Sequence, residues 1–255
     1  MRSSRRQSLR ALGVRVNHVV PISGGKDSTT LAIWLMENEP RDYIFVCTPT
    51  GNELPDWYEH MKNLRVVLGQ PIYPIVGGTL KGIIAQERMI PNWRSRFCTR
   101  MLKIDPFAVW LTPRVPATIY VGLRADEDER EGGDYRRIPD VLVRLPLREL
   151  GWGKADVLAF LEQRDVRIPE RTDCAWCFFQ TLGEWWVLWR EHPELYAEAE
   201  AIEIERGHTF RSPQRDAWPT SLTDLRAKFE NGRVPPRANR QHDLFRGIQC
   251  RVCRL

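Results

Sequence analysis

Ser23-Gly24-Gly25-Lys26-Asp27-Ser28 brings two glycines, a lysine, a carboxylate and two hydroxyls into one short stretch. Paired glycines let the backbone turn tightly and bring its N–H groups against an anion. Lys26 supplies a point charge for phosphate oxygens, and Ser23 and Ser28 supply hydroxyl donors. Asp27 can cap a following helix or hold Mg²⁺. The spacing is not that of a Walker A loop, which requires G-x-x-x-x-G-K-[ST]. The second chemistry-bearing set is the six cysteines, Cys47, Cys98, Cys174, Cys177, Cys250 and Cys253. Four of them form two C-x-x-C pairs, a pattern that in an intracellular chain points to metal or redox chemistry rather than disulfides. Cys47 falls inside an apolar run and is expected to be a core thiol.

These groups need a frame. Residues 18–22, 43–47, 72–76, 118–121 and 141–145 read as apolar strands. Residues 28–38, 56–68 and 154–163 read as helices between or after them, the second opened by Pro55. Such alternation predicts an α/β fold, a doubly wound, mostly parallel five-stranded sheet covered on both faces. Ligands of such sheets sit at the carboxyl ends of the strands, where the glycine turn falls. After Pro169 the pattern becomes helical, over 181–191, 193–206 and 221–230. The expected organisation is a basic tail (1–17), a nucleotide-binding α/β domain (18–168), a helical part with the first C-x-x-C (169–232) and an Arg-rich tail with the second (233–255). Trp176, Trp185, Trp186 and Trp189 cluster in the helical part, and core packing is the expectation there over nucleobase stacking.

The chain has 255 residues, 42% of them hydrophobic, and a net charge of +5. No run approaches the roughly 18 apolar residues that span a bilayer. The Arg-rich start, Met1 to Arg15, lacks the apolar segment of a secretory signal, so a soluble cytoplasmic protein is expected. The basic excess lies in the two tails, which read either as solvated ends or as a footprint for a polyanion. Arg94, Arg96, Arg100 and Lys103 form a further basic cluster, a solvated loop or a contact for phosphates. Arg124 and Arg130 follow the fourth strand, so they face either phosphates or the carboxylates of 126–129. A homodimer is compatible with the sequence.

The loop resembles the S-G-G-x-D-S signature of the PP-loop ATP pyrophosphatase, or adenine nucleotide α-hydrolase-like, superfamily. Four further segments resemble its phosphoadenosine phosphosulfate reductase-like branch. Thr50-Gly51-Asn52-Glu53 is similar to the T-G-x-E segment that borders the nucleotide. Cys98, Lys103 and Pro106 are similar to its C-x-x-x-x-K-x-x-P element. Gly122, Arg124, Glu127 and Arg130 match G-x-R-x-x-E-x-x-R, and Cys174-Ala175-Trp176-Cys177 with Pro193-Glu194 downstream matches the C-x-x-C element. The resemblance runs from about residue 18 to 205. It implies that the loop grips the terminal phosphates of ATP with Mg²⁺ and leaves the α-phosphorus open to a substrate oxygen. Lys26, Asp27 and Arg124 are then the expected catalytic groups. Ser23, Gly24, Gly25, Ser28, Thr50, Gly51, Glu53, Gly122 and Arg130 join them around the nucleotide.

The resemblance also implies a [4Fe-4S] cluster on Cys98, Cys174 and Cys177, closed by Cys250 or Cys253 or left open at one iron. Zinc on Cys174, Cys177, Cys250 and Cys253 is the alternative. The implied activity is ATP-dependent sulfur transfer to a nucleic acid, tRNA or DNA, or to a nucleoside, with a sulfur donor such as a cysteine desulfurase. A sulfonucleotide reductase is a second possibility. It lacks support from the tail, where no Glu-Cys-Gly-x-His segment accompanies Cys250. A nucleotide-binding, zinc-stabilised interaction protein without turnover is the third.

Overall fold

The computed structural model describes residues 15–127, 135, 138–213 and 216–236. Arg130, Cys250, Cys253 and most of both basic tails lie outside the described residues. Five strands form one sheet: β1 (Asn17–Pro21), β2 (Tyr43–Cys47), β3 (Ile72–Pro74), β4 (Ala117–Tyr120) and β5 (Val141–Arg144). Their order is β3-β2-β1-β4-β5 and every pairing is parallel. The expected doubly wound α/β sheet is therefore present. Chain order reverses at β1, between β2 and β4, and in such sheets that switch point opens the ligand crevice at the carboxyl edge.

Side chains alternate across the sheet as a two-residue period demands. Val20, Phe45 and Tyr120 enter one core with α1 (Lys26–Asn38) and α2 (Pro55–Leu68). Val19, Val46 and Ile119 enter the opposite core, where Phe107 and Leu111 cover them. Proline at the first turn starts α2, and Gly69 in the left-handed region (φ 59°) ends it. Cys47 lies in the first core, where burial and then the Glu53 charge push its thiol up to about 11.

Helices between 77 and 116 were not legible from periodicity. They are α3 (Leu80–Glu87), α4 (Phe97–Thr99) and α5 (Asp105–Leu111), with a π-helical segment, Arg100–Ile104, joining the last two. α6 (Pro146–Glu149) and α7 (Lys154–Glu162) follow the sheet, then α8 (Leu182–Glu191), α9 (Pro193–Arg206) and α10 (Leu222–Glu230). Helices α8 to α10 share one core with Leu80, Ile83, Ile84, Phe97 and Leu102. The helical part is thus welded to the 80–102 region. Trp176, Trp185 and Trp186 are buried in that core and Trp189 packs against it, the packing role expected of all four. Among the described residues no helix is long and apolar enough to cross a membrane.

Glu203 ties the loop before α10 to α9. Its carboxylate accepts from Phe210 N at 2.8 Å and from Leu222 N at 2.7 Å. Burial, only partly opposed by these two bonds, pushes its pKa from 4.5 up to about 7. The folded state then holds a proton that the unfolded chain releases between those values. Stability falls as pH rises from about 4.5 to about 7, by about 3 kcal/mol, and levels off above. Urea unfolding at several pH values measures the slope. Glu203→Gln is expected to flatten it over that interval, and an unchanged slope in the variant assigns the proton elsewhere.

Candidate functional site

The carboxyl end of β1 runs through Ile22 into Ser23-Gly24-Gly25, and α1 begins at Lys26. Gly24 has φ 83°, the left-handed region that glycine adopts without strain. Gly25 is the N-cap. Internal bonds fix the loop. Ser28 Oγ donates to Gly25 O at 3.1 Å, Ser23 N donates to Ser28 Oγ at 3.2 Å, and the two serine hydroxyls are 3.0 Å apart. Ser23 and Ser28 therefore shape the loop themselves. From α2, Trp57 Nε1 donates to Ser23 O at 2.8 Å. A Cβ at Gly24 would stand 2.6 Å from that nitrogen. A Cβ at Gly25 would stand 3.4 Å from Thr172 Oγ1 of the helical part. A Cβ at Gly122 would stand 2.9 Å from Asp27 O. Segments after β1 and β4, α2 and the chain before the C-x-x-C thus converge on one turn, and glycine is required at 24 and 122, where a Cβ would clash.

Lys26, Asp27 and Arg124 meet here. Arg124, 1% exposed, donates to both Asp27 oxygens at 2.9 Å and to Asp126 Oδ1 at 2.8 Å, and its Nη2 lies 3.8 Å from Glu127. Lys26 Nζ lies 3.2 Å from Asp27 Oδ2. Arg124 was expected either at phosphates or in surface salt bridges with the 126–129 carboxylates. It pairs with Asp126 and Glu127 of that set and, through Asp27, also forms a buried clasp between the β4 loop and the first turn of α1. Burial opposes its charge, but the Asp27, Asp126 and Glu127 carboxylates together outweigh that cost and raise its pKa. Asp27 serves as the anchor of that clasp, and Gly25 occupies the cap position. His60 lies beneath the loop, its Nε2 3.3 Å from Thr29 Oγ1. Burial lowers its pKa, partly countered by bonds to the Arg167 and Gly24 backbone.

Glu53 builds the neighbouring loop. It accepts from Thr50 N at 2.6 Å, Thr50 Oγ1 at 2.7 Å and Asn52 N at 3.2 Å. Gly51 turns the chain there with φ 66°. The loop receives the first C-x-x-C. Glu53 and Cys174 form an antiparallel bridge, Ala175 N donates to Asn52 O at 2.6 Å, and Trp176 N donates to Asn52 Oδ1 at 3.0 Å. Arg171 braces the turn from behind, donating to Gln180 Oε1 at 2.8 Å and to Cys174 O at 2.5 Å. Asn52, Trp57, Arg171 and Thr172 were not among the expected site residues. Their contacts are long-range or local bracing that no spacing rule encodes.

Cys98 at α4 and the C-x-x-C turn approach each other. Cys177 hydrogen-bonds the Cys174 side chain. That bond, burial and nearby negative charge hold its thiol well above the ordinary range. Cys98 is raised by burial and by Cys177, against Thr99 and Lys103, which lower it. Such thiols stay protonated at neutral pH until a cation joins them. Among the described residues no group of three or more His, Cys, Asp or Glu side chains is arranged to hold a metal ion. The donor type, soft sulfur, suits zinc or an iron–sulfur centre.

The structure thus sets Ser23–Ser28 at the carboxyl end of the switch-point strand, between β1 and α1 of an all-parallel sheet. No protein-family model and no curated protein matches the sequence. Among solved structures the chain is similar to phosphoadenylyl-sulfate reductase from Candida auris in a phosphate complex. Identity there is 16%, over 64% of this chain and 81% of that one, with a TM-score of 0.46. It is also similar to NAD⁺ synthetase from Burkholderia pseudomallei, with 16% identity over 94% of this chain and 84% of that one and a TM-score of 0.36.

Proposed function

We propose that the chain is an ATP-cleaving enzyme that forms AMP and pyrophosphate and transfers sulfur to a nucleic acid or nucleoside. One observation carries the reading. The Asn52–Glu53 loop and Thr172 connect the C-x-x-C turn to the Ser23–Ser28 loop, which supports the reading that thiols and a bound nucleotide would share one edge of the sheet. The amino end of α1 and Lys26 stabilise the terminal phosphates by fixed N–H dipoles and charge. Mg²⁺ enters with those phosphates, since Asp27 is already held by Arg124. A substrate oxygen attacks the α-phosphorus. The α–β bridging P–O bond breaks and pyrophosphate leaves. A sulfur nucleophile then displaces AMP from the activated carbon. Cys98, Cys174 and Cys177, with Cys250 and Cys253 of the tail, are the residues that would hold an iron–sulfur cluster or zinc. Such a centre would supply a site for sulfur or a cross-link. The sulfur itself would come from a donor such as a cysteine desulfurase, and the cytoplasm is the compartment that suits this chemistry.

The test uses protein purified without oxygen, α-labelled ATP, Mg²⁺, and bulk tRNA or bulk DNA in parallel. Labelled AMP that depends on one nucleic acid and is abolished by Lys26→Ala is the expected result. No AMP above the Lys26→Ala level in any reaction overturns the reading.

A further inference from the structure

Trp93 is 59% exposed, unlike the buried tryptophans of the helical part. Its exposure is imposed by a braced turn. Asn92 Oδ1 accepts from Arg94 N and from Ser95 N, both at 3.0 Å, and Asn92 N donates to Ser95 O at 3.1 Å. Ile90 and Phe97, on either side, are buried in the core shared with α8 to α10. The Arg96 guanidinium lies over the Phe179 ring, 5.3 Å from its centre. The turn is therefore fixed at both ends while its indole stands in water, at the cost of the burial that an indole ordinarily gains. The Arg94 guanidinium lies 4.8 Å from the Trp93 ring centre. From Arg88 to Lys103 the chain carries five cations and no carboxylate, Arg100 pairing with Asp105 at 3.3 Å.

The turn also belongs to the thiol edge. Arg96 rests on Phe179, two residues after Cys177, and Cys98 follows Trp93 by five residues. Five residues of chain reach at most about 18 Å. An exposed aromatic face with an arginine on it, in a strongly basic stretch, is the chemistry that stacks nucleobases and follows a phosphate backbone. A base inside a duplex presents no face to such a ring.

We propose that Trp93 and Arg94 form a stacking platform for an unpaired base of a single-stranded nucleic acid, delivering it to the thiol edge. This rests on the nucleic-acid half of the function proposed above and names the form of the substrate. DNA and RNA single strands share the chemistry, so both are test ligands. Fluorescence anisotropy with labelled strands of about 12 nucleotides, DNA and RNA, and with the matching duplex measures it. Trp93→Ala is expected to weaken single-strand binding about 10- to 100-fold, and Trp93→Phe to retain most of it. Duplex binding is expected to change less than about threefold, because phosphate contacts remain. If strands bind through Trp93 while no AMP forms, the platform stands and the enzymatic reading falls. Equal affinity of Trp93→Ala and the unaltered protein for both single strands overturns the platform, as does an equal loss on the duplex.

Discussion

Arg124→Ala is expected to lower folding stability by about 3–5 kcal/mol, the cost of leaving buried charges without their partner. The guanidinium is 1% exposed and bonds both oxygens of Asp27, whose side chain is only 10% exposed. The Glu127 side chain beside it is fully buried. Removing the arginine leaves a cavity and takes from Asp27 its bidentate partner, with only Lys26 Nζ remaining at 3.2 Å, and takes the guanidinium from beside buried Glu127, which keeps the backbone N–H of residue 124. The site relaxes poorly, because the loop after β4 already touches the first turn of α1: Gly122 has no space for a Cβ against Asp27 O. Arg124→Lys recovers only part of the loss, since one ammonium cannot reproduce the bidentate bond to Asp27 and the bond to Asp126 together. Asp27→Asn combined with Arg124→Met removes both charges and is expected to be less destabilised than Arg124→Ala alone. Urea unfolding at neutral pH reads all four proteins. A loss below about 1 kcal/mol for Arg124→Ala would mean that water reaches the clasp and that it is an ordinary surface pair.

Much of this arrangement is legible in the sequence. Apolar runs gave all five strands to within two residues; the central β2 and β4 are buried on both faces and have no polar face to obscure them, while the edge strand β3 is read from its apolar residues although Tyr73 is exposed. The loop was legible for a different reason. Paired glycines between an apolar run and a helical pattern mark a tight strand-to-helix turn, and the structure has that turn between β1 and α1. The stretch from 77 to 116 was not legible. There α4 has only three residues, and a π-helical segment breaks the 3.6-residue period on which helix reading depends. The direction of Arg124 was not legible either. Its spacing from Asp126 and Glu127 is local, but its main partner, Asp27, lies 97 residues away, and only the sheet order brings the two together. Trp93 escaped for the converse reason. Tryptophan is read as core by composition, and only its position at the tip of a braced turn shows it in water.

Gly24→Ala is expected to reduce the rate of AMP formation at least about 100-fold while the protein remains folded, because a displacement near 1 Å at a reacting centre has that effect. Two obstacles act together. The alanine must adopt φ 83°, which costs an L-residue roughly 1–2 kcal/mol. Its Cβ would also lie 2.6 Å from Trp57 Nε1, the atom that holds Ser23 O. The loop escapes both by moving, and the Ser23–Ser28 bonds that shape it move with it. Gly25→Ala is the control one residue away. There φ is −77°, open to any residue, and the nearest atom to the new Cβ is Thr172 Oγ1 at 3.4 Å. Its loss is expected to stay within about tenfold. Trp57→Leu in the Gly24→Ala background removes the clash but not the backbone strain, so it restores part of the rate. Measured ATP affinity and single-turnover AMP formation separate loop geometry from folding. Equal losses at Gly24 and Gly25 would show that bulk in the loop, and not its left-handed turn against Trp57, is what the phosphates sense.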